Sequence, residues 1–528
     1  MSLQSRIPNH CCQSRRSIPK VIYSVLRRTC KIHSLLHTPT PIFLEEVGSD
    51  DRLSRYTKLF LGLGFLLALF GLCSGAIASA DTWWHLATGR WILANHAVPR
   101  TDPFSFSAAG KPWVAHEYLT DILLYELYRF GGFIAMGVAN SLVLTAAFAI
   151  IAHAARSSRW LAYAAALFAA FASRPAFAIR PQSFSLLFGA AFIWIIREGI
   201  ARKRPRWFLG LPCLMLVWVQ LHAGYLLGIG VIVILLIAEL LDFAVKRSEG
   251  HPRQWLLPLL GAGAACIAVV PLNPNGFTML TFPFFVMRLK ITQDLTEWQP
   301  ANLHDPHLYP FLALAAITLI ALLTSKSKYR PGQFFLYFGL LAAALKTARN
   351  IPIFCLFAAL MLADHLWTPS QWTLAPKYRV AMAGIVLVAG GVYCAEAASA
   401  GLAFQALAEK NLYPRDAANF IASHHLPANL LNDYSYGGYL IWRLYPEYPV
   451  YVDGRADLYG DKFLDEYVDL YYGRAEPSPF LDRNHINTVF LSPGSALATL
   501  MRLLCVRGPW QIVYEDPHAV IFVREQIH

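Results

Sequence analysis

Asp81 opens the run Ala80-Asp81-Thr82-Trp83-Trp84-His85-Leu86-Ala87-Thr88-Gly89-Arg90-Trp91-Ile92-Leu93, and Asp102 and the pair His116-Glu117 follow before the next apolar stretch. A carboxylate can take a proton from a hydroxyl or amide or hold a divalent cation, and an imidazole titrates close to neutral pH. Acid, base and metal-ligand types therefore converge in one loop, with His85 inside its first helical stretch. The competing reading of Asp81 is an N-cap, because Trp84, Ala87 and Trp91 follow it at near-helical spacing. The three tryptophans then form an interfacial belt. Thr120 stands where a His-Glu-x-x-His helix has its second histidine, which excludes a zinc protease of that kind.

Cations that could face a phosphate lie at other positions. Arg174 and Arg180 bracket a short hairpin, His222 ends another, and Arg349 marks a third. Arginine offers a planar fork of donors suited to phosphate, although an arginine at a membrane edge also snorkels to lipid headgroups, and a lone interfacial histidine is as readily structural. Glu297, in Gln293-Asp294-Leu295-Thr296-Glu297-Trp298, gives a second acidic position. Asp81 with Asp102 or Glu297 supplies the oxygen ligands that Mg or Mn would take. Asp453, Asp457 and Asp461 lie four apart, unlike an EF-hand loop, and read as turn and cap residues.

The elements that carry these residues follow from composition. The chain has 528 residues, 56% hydrophobic and 15% charged, with mean hydropathy +0.41. This predicts an α-helical polytopic membrane protein. Apolar runs near 59–80, 131–153, 160–173, 181–196, 207–221, 223–243, 255–272, 309–324, 333–348, 351–366 and 380–404 give about eleven spans. The net charge of +12 does not call for nucleic acid, because residues 1–58 carry +6 and residues 406–528 carry −5. The loops at 156–159, 197–206, 246–253, 326–330 and 377–379 are basic, so parity places them with the amino terminus in the cytoplasm. Residues 1–58 read as a mostly disordered basic tail and the first span as a signal anchor. The transmembrane domain covers 59–405, and residues 80–130, 273–308 and 406–528 fall on the outer side. Nine cysteines with no Cys-x-x-Cys pair support neither a disulfide framework nor a cysteine zinc site. Gly71 and Gly75 fit small-residue helix packing.

From residue 413 alternation with Pro and Gly punctuation predicts a soluble α/β domain. Helices are expected at 413–425, 438–444 and 496–504. Strands are expected at 429–432, 449–452 and 487–492, with a closing hairpin from 511–514 and 519–523.

An acidic residue at the outer end of the first span, followed by a long amphipathic loop, resembles the GT-C class of integral membrane glycosyltransferases. The pattern DTWWHL…RTDPFS…W…HE also resembles a group of bacterial membrane proteins assigned to that class. Leu431-Asn432-Asp433-Tyr434-Ser435-Tyr436-Gly437 is distantly similar to the WWDYG region of oligosaccharyltransferase catalytic subunits, with Leu431 and Asn432 where the tryptophans stand, and Thr296-Glu297 is similar to a short acidic motif of those enzymes. The resemblance implies a sugar carried on a polyprenyl phosphate or diphosphate, transferred at the outer face of a bacterial inner membrane. It implies Asp81 as the catalytic carboxylate with Asp102 second, and Arg174, Arg180, His222 and Arg349 at the donor phosphate. His85, His116, Glu117, Glu297, Asp433 and Tyr434 would bind or support the acceptor. A lipid or solute transporter, or a non-catalytic membrane assembly protein, are the rivals. A transporter calls for ionisable residues near mid-span or broken helices in matching halves, whereas Glu396 lies near an outer end.

Overall fold

The computed structural model describes residues 47–74, 77–244, 253–290, 298–325, 331–366 and 376–525. The chain divides into two compact units, Met1–Tyr56 and Thr57–His528. The basic tail up to residue 46 lies outside the described residues, and helix is present from Val47, earlier than the tail boundary expected at 58.

The chain runs through α1 (Val47–Cys73), the short strand β1 (Ile77–Ala78), α2 (Ala80–Asn95), α3 (Tyr118–Ala154), α4 (Arg159–Ser173), the short strand β2 (Ala178–Ile179) and α5 (Gln182–Ala201). It continues through α6 (Gly210–Leu221), α7 (Leu226–Ala244), α8 (Arg253–Val269), α9 (Thr278–Arg288), α10 (Tyr309–Thr324), α11 (Pro331–Lys346), α12 (Ile351–His365) and α13 (Pro376–Leu412). Among the described residues, seven helices are long and apolar enough to cross a membrane: Ser54–Cys73, Tyr118–Ala154, Gln182–Ala201, Ala223–Leu241, Gln254–Leu272, Pro306–Thr324 and Lys377–Gly401. Shorter apolar helices such as Pro205–Leu221 and Gly332–Lys346 lie between them. Within α3 the helix breaks at Gly131 and Gly132, where Gly132 has φ 60°. Only glycine takes that conformation without strain, and the apolar run begins there.

The helical bundle has a core of its own, in which the alanine face of α4 (Ala162, Ala165, Ala166, Ala169) packs against α12 and α3. Arg156 and Arg197, from two of the loops expected in the cytoplasm, meet Asp364 at one end of this bundle; the Arg197–Asp364 contact is 2.7 Å.

The C-terminal module holds α14 (Arg415–His424), β3 (Leu430–Asn432), α15 (Tyr434–Leu444), α16 (Ala456–Tyr459), α17 (Asp461–Tyr471), α18 (Pro477–Arg483), β4 (Thr488–Leu491), α19 (Ala496–Arg507), β5 (Trp510–Glu515) and β6 (Val520–Arg524). Its sheet has the order β3-β4-β6-β5, with β3 parallel to β4 and the other pairs antiparallel. Residues 449–452 form bridges rather than a full strand: Val450 pairs with Leu430 on one side and with Ser105 of the loop between α2 and α3 on the other. The segment around Val450 thus sits on the β3 edge of the sheet, which would otherwise present unpaired backbone groups, and Ser105 in turn pairs with that segment.

The segment 80–117 and the module share a second core. Trp83 lies edge-on to Phe133, Tyr413 and Tyr439 at 5.0, 5.0 and 4.8 Å. Leu86, Phe104, Tyr439, Leu440 and Val452 are buried with it. Aliphatic and Phe side chains so buried contribute about 1.5–3 kcal/mol each. The region around residue 81 is therefore packed directly against the module.

Candidate active site

Asp81 is placed by a small piece of parallel sheet. Ile77 pairs with Ala178 and Ala78 with Ile179, which draws the Arg180 hairpin to the start of α2. Ser79, not Asp81, is the N-cap, with extended backbone angles. Its N–H donates to Thr82 Oγ1 at 2.9 Å, and Thr82 Oγ1 donates to the Ile179 carbonyl at 3.2 Å. The N-cap reading of Asp81 is thereby corrected: the carboxylate sits in the first turn with its oxygens directed elsewhere. Oδ2 is 3.1 Å from Arg180 Nη2, and Oδ1 accepts from Trp84 Nε1 at 3.3 Å. Arg180 Nε donates to Ser79 Oγ at 2.8 Å, which aims the guanidinium at the carboxylate. The Asp81 side chain keeps 30% exposure, so it is oriented yet reachable. The helix N-terminus and the guanidinium both complement its charge.

The module closes over this residue. A Cβ on Gly454 would lie 2.5 Å from Asp81 Oδ1 and 3.2 Å from Trp84 Nε1, and one on Gly438 would lie 2.9 Å from the Ala80 carbonyl. Arg90 Nη2 donates to the Trp442 carbonyl at 3.1 Å and stacks on the Trp442 ring.

One turn along α2, His85 enters a buried cluster centred on Glu117. His85 Nδ1 lies 2.6 Å from Asp121 Oδ1, and its Nε2 is 3.7 Å from Glu117 Oε2. His116 Nε2 and His222 Nε2 approach Glu117 Oε1 at 3.3 and 3.4 Å. The Gly224 N–H donates to His222 Nδ1 at 3.1 Å, which requires a lone pair there and puts the proton of the neutral ring on Nε2, toward Glu117. Ser185 Oγ, which accepts from Trp218 Nε1, is 2.6 Å from the same Nδ1. Arg349 Nη2 stands 3.5 Å from His222 Nε2, and its guanidinium lies over Trp298 at 5.0 Å. Glu117 thus joins the helix bearing Asp81 to the loop bearing Arg349. Asp121 was not singled out in the sequence, yet it lies four residues after Glu117 on the same helical face.

Burial alone would depress His116, but the Glu117 carboxylate beside it outweighs that cost, and Asp457 and the Val114 carbonyl add to it, so His116 is pushed up to about 9. For Glu117 burial works upward, and His116 followed by His222 and His85 holds it below the usual carboxylate range. A raised histidine contributes stability that is complete below its unfolded value of about 6.5 and is lost as pH rises through the folded one. The wild-type melting temperature is therefore expected to fall between pH 7 and pH 10 relative to His116→Asn. Parallel melting curves across that window would refute a charged His116.

Asp102 is elsewhere. Its Oδ1 meets Arg455 Nη1 at 2.8 Å and accepts from the Phe104 N–H at 3.0 Å, while Oδ2 accepts from the Ser105 N–H at 3.0 Å and from the Ser105 hydroxyl. Its side chain is fully buried. Asp102 is thus a saturated partner of Arg455, not a second carboxylate beside Asp81. Asp453 has the turn role expected of it, accepting from the Arg455 N–H at 3.0 Å, and in addition takes Arg455 Nε and Nη2 at 2.7 Å each.

Asp433 is also engaged. It caps α15 through the Ser435 N–H at 3.0 Å and accepts from Tyr471 and Ser492 hydroxyls at 2.7 and 2.9 Å, so it has no free oxygen for an acceptor. The Tyr434 N–H donates to the Tyr467 hydroxyl at 2.9 Å. Arg174 is exposed on the same hairpin as Arg180. Glu297 lies outside the described residues. Among the described residues, no group of three or more His, Cys, Asp or Glu side chains could hold a metal ion. Asp81 faces Arg180 and Asp102 faces Arg455, so these two carboxylates do not meet, while Glu297, the other partner expected for Asp81, lies outside the described residues.

No protein-family model and no curated protein matches the sequence. Solved structures do match its fold. The archaeal oligosaccharyltransferase AglB from Archaeoglobus fulgidus, in complex with an inhibitory peptide and a dolichol-phosphate, superposes with a TM-score of 0.50 at 11% identity, over 82% of this chain and 69% of that one. The arabinofuranosyltransferase AftD from Mycobacteria gives 0.52 at 14% identity over 89% of this chain, which spans 40% of AftD. ArnT from Cupriavidus metallidurans, bound to undecaprenyl phosphate, gives 0.47 at 14% identity over 89% of this chain and 98% of that one. The fold is GT-C-like.

Proposed function

We propose that this protein is a membrane glycosyltransferase that moves a sugar from a polyprenyl-phosphate or diphosphate carrier to an acceptor on the extracytoplasmic face of a bacterial inner membrane, as part of cell-envelope synthesis. The observation that carries the reading is Asp81, a partly exposed carboxylate oriented by Arg180 and Trp84 at the outer end of the first span, beneath the C-terminal module. The dolichol-phosphate bound by the similarly folded AglB supports a polyprenyl carrier.

In this reading Asp81 takes the proton of an acceptor hydroxyl or amide as that atom bonds to the anomeric carbon. The bond from that carbon to the phosphate oxygen breaks, and the carrier leaves with the electron pair. Arg349 and Arg174 meet the growing phosphate charge. Arg180, already on Asp81, orients the base instead of binding the donor phosphate. Glu117, with His85, His116 and His222, sets the distance between base and phosphate sites.

Purified protein incubated with radiolabelled polyprenyl-phosphate sugars should release carrier and transfer label. Absence of both turnover and binding across a broad donor panel overturns the proposal. Arg349→Ala should lower kcat/KM for the lipid donor by about 10–100-fold, the loss of one charge-assisted contact, while Arg349→Lys recovers part of it. Unchanged donor kinetics in Arg349→Ala would remove Arg349 from the phosphate site.

A further inference from the structure

Gly454 lies between two residues of a clasp whose third member is Asp102, in the first outer loop. Arg455 holds Asp453 through two parallel contacts at 2.7 Å and Asp102 through a third at 2.8 Å. The Tyr459 hydroxyl donates to Asp453 Oδ2 at 2.6 Å, and the guanidinium is flanked by the Phe104 and Trp113 rings at 5.1 and 4.6 Å. All three charged side chains are essentially inaccessible to solvent. The Arg455 N–H also donates to Asp453 Oδ1 at 3.0 Å, closing the backbone around Gly454. From behind, Asn432 Nδ2 donates to the Val452 carbonyl at 2.7 Å, and a Cβ on Gly437 would lie 2.1 Å from that same oxygen.

We propose that Arg455 is a positioning residue for Asp81. It ties the first outer loop to the C-terminal module and seats the bare Gly454 backbone against the Asp81 carboxylate, so that the module forms the acceptor-side wall of the active site. This rests on Asp81 being the reacting carboxylate. A planar five-donor group is required, because it must grip two carboxylates and lie between two rings at once. Glycine is required at 454 because a methyl group there would occupy the space beside Oδ1 and push Asp81 away from Trp84. The acceptor therefore reaches Asp81 past a surface that carries no side chain, and the shape of that surface is set by a module far along the sequence.

The test uses full-length protein in detergent or nanodiscs. Gly454→Ala and Arg455→Lys are compared with Gly494→Ala, a site where a Cβ meets nothing within 4 Å. Gly454→Ala should lower kcat at least tenfold with the KM for lipid donor within twofold, and Gly494→Ala should match wild type. Carbodiimide-coupled amine labelling of Asp81, read by mass spectrometry, should be at least fivefold faster in both Gly454→Ala and Arg455→Lys. That measurement needs no turnover, so it decides on the clasp even if wild type transfers no sugar, a result that would sink the glycosyltransferase reading separately. If Arg455→Lys does not fold, Gly454→Ala decides alone. Wild-type labelling rates in folded variants overturn the proposal, as does a Gly454→Ala enzyme whose kcat is unchanged.

Discussion

Under the proposed function, Asp81→Asn is expected to lower sugar transfer by about 10²–10⁴-fold, the range a positioned general base contributes, and to leave the fold intact. The asparagine amide keeps the shape of the carboxylate and can still accept from Trp84 Nε1, but it cannot take a proton and no longer attracts Arg180. The lost ion pair costs little, about 0–1 kcal/mol, because both partners retain exposure and solvent screens them. The signature is a fall in kcat with donor KM nearly constant and an unchanged melting temperature. A transporter or assembly protein has no reason to lose function with this pattern. Full activity in Asp81→Asn, or loss of activity only through unfolding, removes Asp81 from the chemistry.

Much of this site was legible in the chain because membrane physics writes in long stretches. Apolar runs and basic loops predict which loops share a side, and Asp81 with Arg180 and Glu117 with His222 are pairs drawn from loops assigned to one side. His85, His116 and Glu117, which residue type singles out, do converge. Partnership was not legible. Asp81 and Asp102 look alike in sequence, and what separates them is Arg455, whose contact to Asp102 spans most of the chain. Asp433 was read as acceptor-facing from a short motif, but its Tyr471 and Ser492 partners come from different elements and consume its oxygens.

In the module, strongly β-branched and fully buried runs such as β4 were visible, whereas α16, α17 and α18 were not. Asp461-Lys462-Phe463-Leu464-Asp465-Glu466-Tyr467 is rich in charge, and its helical face of Leu464, Tyr467 and Leu470 acquires meaning only against the core it covers. The 449–452 segment erred the other way. Its alternation fits a strand, but the β3 edge and the outer loop each take only a single bridge from Val450.

Asp102→Ala destabilises the outer assembly by about 3–5 kcal/mol, several times the effect at Asp81, because it leaves the buried Arg455 guanidinium short of a counter-charge. Asp102→Asn keeps one accepting oxygen, enough for the Phe104 N–H or the Ser105 N–H but not for both, and should fall between wild type and alanine. Arg455→Met loses the same clasp from the other side and strands Asp453 and Asp102 together. Replacing Asp102 and Asp453 with Asn and Arg455 with Met in one protein removes all three charges of the clasp at once. It should recover most of the lost stability, since a fully neutral cluster avoids the desolvation cost that a broken one carries. Thermal melts followed by tryptophan fluorescence, with Asp81→Asn as the reference, read all four variants. If Asp102→Ala melts with Asp81→Asn, then Asp102 is no structural clasp. A triple variant no more stable than Asp102→Ala would instead assign the loss to packing around Phe104 and Trp113, not to an uncompensated charge.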